Sequence, residues 1–177
     1  YGVGTEPCGD AGLQMMCQGL GRGAAPSLKT LDLDENTLGP AGAEALAAAL
    51  GSGAMPKLES LYLGGNPIGN QGAATLAAPL RKLPALEELS LSLCQIGDEG
   101  VASLFADLGK DDFKKLKFIH LMGNQITDIG YATLVKAIDD GRLPSLKDLH
   151  LGANPATDAA LQAVTDALAR AKARRGS

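Results

Sequence analysis

Tryptophan is missing from this 177-residue chain, and only three Tyr and three Phe supply rings. A core with so few aromatics has to be built from Leu and Ala, which suits thin regular layers better than one bulky centre. Cysteine is scarce as well: Cys8, Cys17 and Cys94 are odd in number and lack metal-like spacing, which argues against a disulfide scaffold. No Asn-x-Ser/Thr acceptor occurs, and both absences point to an intracellular chain. No run of 18 apolar residues exists, so no membrane insertion is expected. Charge of one sign is not in excess either. A net charge of −4 gives no reason to expect a nucleic-acid partner or strong electrostatic steering. What remains is abundant: 45% apolar residues, enough for one domain with a substantial core.

That apolar content recurs at a fixed interval. Five segments align, "LKTLDLDENTLGPAG" from Leu28, "LESLYLGGNPIGNQG" from Leu58, "LEELSLSLCQIGDEG" from Leu86, "LKFIHLMGNQITDIG" from Leu116 and "LKDLHLGANPATDAA" from Leu146. Their starts lie 30, 28, 30 and 30 residues apart. Within each unit, leucines alternating with polar residues (Leu31, Leu33) have the period of a half-buried strand. Gly42, Leu46 and Leu50 fall four apart, which is one stripe of a helix, and Gly72, Gly100 and Gly130 begin the same spacing in later units. Pro40 suits a first helical position, and Thr127 and Thr157 suit N-caps. Asn36, Asn66, Asn124 and Asn154 each follow a strand, where an amide side chain can satisfy turn backbone. Pro79 predicts a helix that stops about a turn early, matching the one short repeat.

The pattern L-x-x-L-x-L-x-x-(N/C)-x-L resembles the leucine-rich repeat, and units of 28–30 residues with a helix in each resemble its ribonuclease-inhibitor-like class. The resemblance implies an α/β solenoid, a right-handed β-α superhelix with a parallel sheet on the concave face and helices on the convex face. The expected organisation is a single domain over residues 1–177: a partial repeat at 1–27, then repeats at 28–57, 58–85, 86–115, 116–145 and 146–177. Physically, one strand-helix unit cannot bury its apolar face alone, so the units must stack.

Shifting the template back 30 residues places Tyr1 and Val3 at inward strand positions, and Met16 and Leu20 on the helix stripe. The chain thus reads as starting inside a strand, with an upstream part expected. At the other end Ala156 and Ala160 replace the loop Leu and turn Gly, and Arg170, Lys172, Arg174 and Arg175 complement a helix C-terminus, as in a terminating repeat.

Chemistry-bearing motifs are few. "GLGRGAAP" at 19–26 lies between a helix and a strand, the reverse of a dinucleotide loop, and reads as a turn. His120 and His150 occupy one outward column with Asp32, Tyr62 and Ser90; two imidazoles do not make a stable zinc site, so neither metal nor cofactor is expected. Ser90 beside His120, with Glu88 and Asp148 flanking, has no enclosure for an activated nucleophile, and the chain is read as a non-enzyme. The class includes Ran GTPase-activating proteins, yet the strand-to-helix loops contain no Arg or Lys to stabilise phosphoryl transfer. The ribonuclease inhibitor is strongly acidic beside this mild charge, so its activity is not implied.

The outward strand positions are mostly small or charged. Tyr62, Phe118, His120, Met122 and His150, with Leu93 at a loop edge, are the exceptions, and aromatic and Met side chains on a polar face are common interface anchors. These six are the expected partner-binding residues of a protein-protein interaction module or scaffold. Two alternatives stand beside that reading: a subunit of a larger complex held through its edge or convex helices, and an accessory domain of a GTPase regulator or receptor.

Overall fold

The computed structural model describes residues 8–176. Strands and helices alternate: α1 (Gly9–Gln18), β1 (Thr30–Asp32), α2 (Pro40–Gly51), β2 (Ser60–Tyr62), α3 (Gly69–Arg81), β3 (Glu88–Ser90), α4 (Asp98–Phe105), β4 (Phe118–His120), α5 (Asp128–Asp139), β5 (Asp148–His150) and α6 (Asp158–Gly176). The five strands form one parallel sheet in the order of the chain, each paired only with its sequence neighbours. This is the expected α/β solenoid. Tyr1 and Val3 lie outside the described residues.

Each strand is short because only its central residue and the Leu two places on must point inward. Leu61, Leu89 and Ile119 are fully buried at the strand centres, and Leu63, Leu91 and Leu121 follow them into the core. The helix stripes meet them from the other side through Leu46, Leu76, Leu104 and Leu134. In α1 the buried pair is Leu13 and Cys17, the side turned to α2, whereas Met16 is exposed.

Two side-chain ladders lock neighbouring repeats. The first is the asparagine ladder. Asn66 Oδ1 accepts from the backbone N–H groups of Asn36 and Leu38 in the preceding repeat, and its Nδ2 donates to the carbonyls of Leu33 and Leu63. Asn124 repeats this on Cys94, Ile96, Leu91 and Leu121. Both amides are buried, and four backbone partners make that burial affordable. At Cys94 the thiol takes the place of the amide and donates to the Leu63 carbonyl.

The second ladder caps helices across repeats. Asp10 Oδ1 accepts from Gly39 and Gly42 at the start of α2, Asn70 Oδ1 from Gly97 and Gly100 at α4, and Asp98 Oδ1 from Thr127 and Gly130 at α5. Asp128 reaches Thr157 before α6. The turn glycines are therefore required by close approach: a Cβ at Gly130 would lie 2.6 Å from Asp98 Oδ1. Pro40 occupies the ladder position that should serve α3. Lacking a side-chain acceptor, it leaves α3 to start as α1 does, through a Gly at positive φ (Gly69, φ 65; Gly9, φ 59) whose N–H goes to a carbonyl of the following repeat.

Thr127 and Thr157 act as expected, accepting from Ile129 and Ala160. The expectation at Pro79 fails. Helix α3 runs through Pro79 to Arg81, 13 residues against 12 in α2. The carbonyl freed four residues earlier belongs to exposed Thr75, open to solvent, and the helix ends two residues later anyway. The two residues missing from the short repeat come instead from the loop between α3 and β3. The short helix is α4, with eight residues. Its end is capped from the previous repeat by Arg81, whose guanidinium donates to the carbonyls of Leu104, Ser103 and Ala106. The chain then drops Phe113 into the core against Phe105, ring centres 5.6 Å apart.

Candidate functional site

The outward side chains of the sheet form three columns in strict register. Thr30, Ser60, Glu88, Phe118 and Asp148 pair across the strands, and Asp32, Tyr62, Ser90, His120 and His150 pair beside them. The third column, Asp34, Gly64, Ser92, Met122 and Gly152, continues just beyond the strands. None of these positions holds Lys or Arg.

Across the second half of the sheet runs a hydrogen-bonded chain of side chains. Tyr62 Oη donates to Glu88 Oε2 over 2.8 Å, and Glu88 Oε1 lies 3.0 Å from His120 Nε2. His120 Nδ1 meets His150 Nδ1 at 3.0 Å, and His150 Nε2 lies 3.1 Å from Asp148 Oδ2. The two imidazoles are edge-on, 77° between planes. The register makes this possible by placing both rings on adjacent strands with a carboxylate in the neighbouring column. The Glu88 hydrogen bond, with burial, raises the Tyr62 phenol above its ordinary pKa. Burial works to raise Asp148, but the His150 hydrogen bond and the Leu149 amide outweigh it and hold the carboxyl below its ordinary value. At the other end of the face, burial raises Asp34 against the opposing hydrogen bond from the Gly64 amide, with the charges of Asp32 and Glu35 adding to the rise.

Of the six expected binding residues, Tyr62, His120 and His150 belong to this chain of contacts. Tyr62 reaches His120 only through Glu88. Glu88 and Asp148, weighed from the sequence only as flanks of Ser90, turn out to be the links; the signal was their place in the column next to the histidines. Both ring nitrogens of His120 are engaged by Glu88 and His150, which leaves neither to take a proton from Ser90. Among the described residues no group of three His, Cys, Asp or Glu is arranged to hold a metal.

The other three supply apolar surface. Leu93 is 64% exposed, Met122 45% and Phe118 36%. Leu93 and Met122 are neighbours, since the Leu93 amide donates to the Met122 carbonyl. Leu93 stands at positive φ (57), an uncommon conformation for a branched side chain. Gly123 leaves room for it: a Cβ there would lie 3.2 Å from Leu93 Cγ. The face is thus acidic at β1 and apolar around β4, with the proton-sharing pair between β4 and β5. No helix among the described residues is long and apolar enough to cross a membrane.

A solved structure shares this architecture at low identity, and a second resembles it more weakly. A leiomodin-1 structure, described as its actin-binding site 2, is 13% identical, with 99% of this chain and 92% of that one covered at a TM-score of 0.68. The tropomodulin C-terminal domain of Caenorhabditis elegans is 14% identical over 92% of this chain and 94% of that one, TM-score 0.43. No curated protein matches the sequence. The family pattern described as "Leucine Rich repeat" matches residues 24–47, 54–77, 82–105 and 114–135, more than half of the chain. Those four matches fall on four of the five strand-helix units of the sheet, β1–α2 to β4–α5, and the chain belongs to the leucine-rich repeat family.

Proposed function

We propose that this chain is a non-catalytic protein-binding module whose partner docks on the concave sheet around β4. One observation carries the reading. Leu93, Phe118 and Met122 are exposed beside a row of side chains already fixed by hydrogen bonds, so a partner meets apolar anchors next to a rigid polar frame. Preorganisation of this kind lowers the ordering cost of association. The exposed columns hold Asp32, Asp34, Glu88 and Asp148 and no Lys or Arg, which favours a partner presenting an apolar side chain flanked by cations. The leiomodin-1 array of similar shape, described as an actin-binding site, supports protein binding as a use of this fold.

Site-specific photocrosslinking tests it. A crosslinker at position 152, beside Met122, should capture a partner that one at Ala163, on the helical side, does not, and Phe118→Ala with Met122→Ala should abolish capture from position 152. Capture only from position 163 removes the concave reading.

A further inference from the structure

A second surface lies away from the concave face. Helix α6 has 19 residues, against 12 or 13 in α2, α3 and α5, and its overshoot runs alongside the loop that leads into β5. Between them is a groove of about 640 Å³, whose floor is Pro144, Leu168 and Ala169 and whose cations are Lys117, Lys147, Lys172 and Arg175. No carboxylate lines it.

The groove is held open. Arg175 Nη1 donates to the carbonyls of Pro144 (3.1 Å) and Leu146 (2.6 Å), and Arg170 grips Asp139 through two hydrogen bonds. The first contacts pin the end of α6 to the loop and bring the Arg175 charge to the floor, and the Arg170 pair ties α6 to the end of α5. Lys117 is paired with Glu87, at 2.7 Å the nearest carboxylate, lying outside the lining. Lys147 and Lys172 are exposed and have no ion-pair partner among the described residues. A cationic recess in a chain of net charge −4 is charge segregation, and two ammonium groups outside any ion pair, above an apolar floor, define what fits.

We propose that this groove docks a carboxylate-rich peptide segment of a partner protein, with an aliphatic or aromatic side chain seated on Pro144 and Leu168 and acidic side chains reaching Lys147 and Lys172. A free phosphate would leave the apolar floor empty. Nucleic acid would find no aromatic ring in the lining on which to stack a base. An anionic bilayer would meet a recess in a net-negative molecule instead of a convex cationic patch.

Fluorescence anisotropy on the full chain tests this with a fluorescein-labelled peptide of Glu interspersed with Leu and Phe. Salt is set near 150 mM, where the Debye length is about 8 Å, to suppress non-specific attraction. Micromolar binding is expected, weakened about tenfold or more by Lys147→Glu with Lys172→Glu and unchanged by Lys57→Glu, an exposed lysine in a distant repeat. Lys147→Ala with Lys172→Ala, the milder pair, should weaken it in the same direction. Equal binding by both double variants overturns the proposal. So does tighter binding of phosphatidylserine vesicles or a single-stranded oligonucleotide than of the peptide. Phe118→Ala should leave this binding intact, which separates its failure from that of the concave site.

Discussion

His120 and His150 share one hydrogen bond through their Nδ1 atoms, 3.0 Å apart, while their Nε2 atoms each face a carboxylate. A hydrogen bond between two ring nitrogens needs a proton on one Nδ1 and a lone pair on the other. Nitrogen-15 NMR should show a coupling between the two Nδ1 atoms across that bond, lost in His150→Ala. Absence of the coupling in the unsubstituted protein would contradict the contact.

The buried asparagines should be costly to remove. Asn124→Ala strands the amides of Cys94 and Ile96 and the carbonyls of Leu91 and Leu121. At about 1–3 kcal/mol per buried group left unpaired, and with water re-entering part of the space, a loss of about 3 kcal/mol is expected in urea unfolding. Cys94→Asn, which restores the ladder, should stabilise by about 1 kcal/mol.

Cys94 should be inert in the folded protein. Burial pushes its thiol up to about 12, and the side chain is fully enclosed. Iodoacetamide at mildly alkaline pH should label exposed Cys8 first and reach Cys94 only on unfolding. Modification of Cys94 at the Cys8 rate would show that the third repeat opens freely.

Cross-repeat capping predicts a non-local effect on a helix. Asp98→Ala should weaken the start of α5, thirty residues on, by about 1–2 kcal/mol, seen as faster amide exchange at Thr127 and Gly130. Gly130→Ala should destabilise in the same direction, because the new methyl meets the Asp98 carboxylate.

Acid should act partly through Asp112. Burial tends to raise this carboxyl, but hydrogen bonds from Lys82 and the Gly109 amide, with the charges of Lys82 and Arg81, leave it below its ordinary value of 3.8. A depressed folded value contributes stability that is fully present above the ordinary value and is lost as pH falls from there through the folded one. Asp112→Asn should flatten that part of the acid limb of the stability curve. An unchanged limb would assign the acid sensitivity elsewhere, for example to Asp139, also lowered by Arg170.

Much of the architecture was legible because leucine spacing is a one-dimensional record of stacking. Leu61, Leu89 and Ile119 recur at the sheet interval, and the register of His120 on His150 followed directly from counting. The asparagines were legible too, since their type has one common use after a strand. The caps at Asp10, Asn70, Asp98 and Asp128 were written near the same interval, but a carboxylate or amide early in a helix has a sufficient local explanation, which hides its service to the next repeat. Pro79 misled because propensity ignores position: near an exposed helix end the lost bond is cheap. The links through Glu88 and Asp148 depend on rotamers, which spacing does not encode. The groove beside α6 depends on how far a helix overshoots.

Pro40 leaves one joint of the array without its fastener. Every other junction from α1 to α6 is bolted by a carboxylate or amide reaching into the next helix, whereas α3 simply restarts. With packing and Asn66 still holding the junction, the consequence is local: the first amides of α3 should exchange faster than those at the capped starts of α4 and α5.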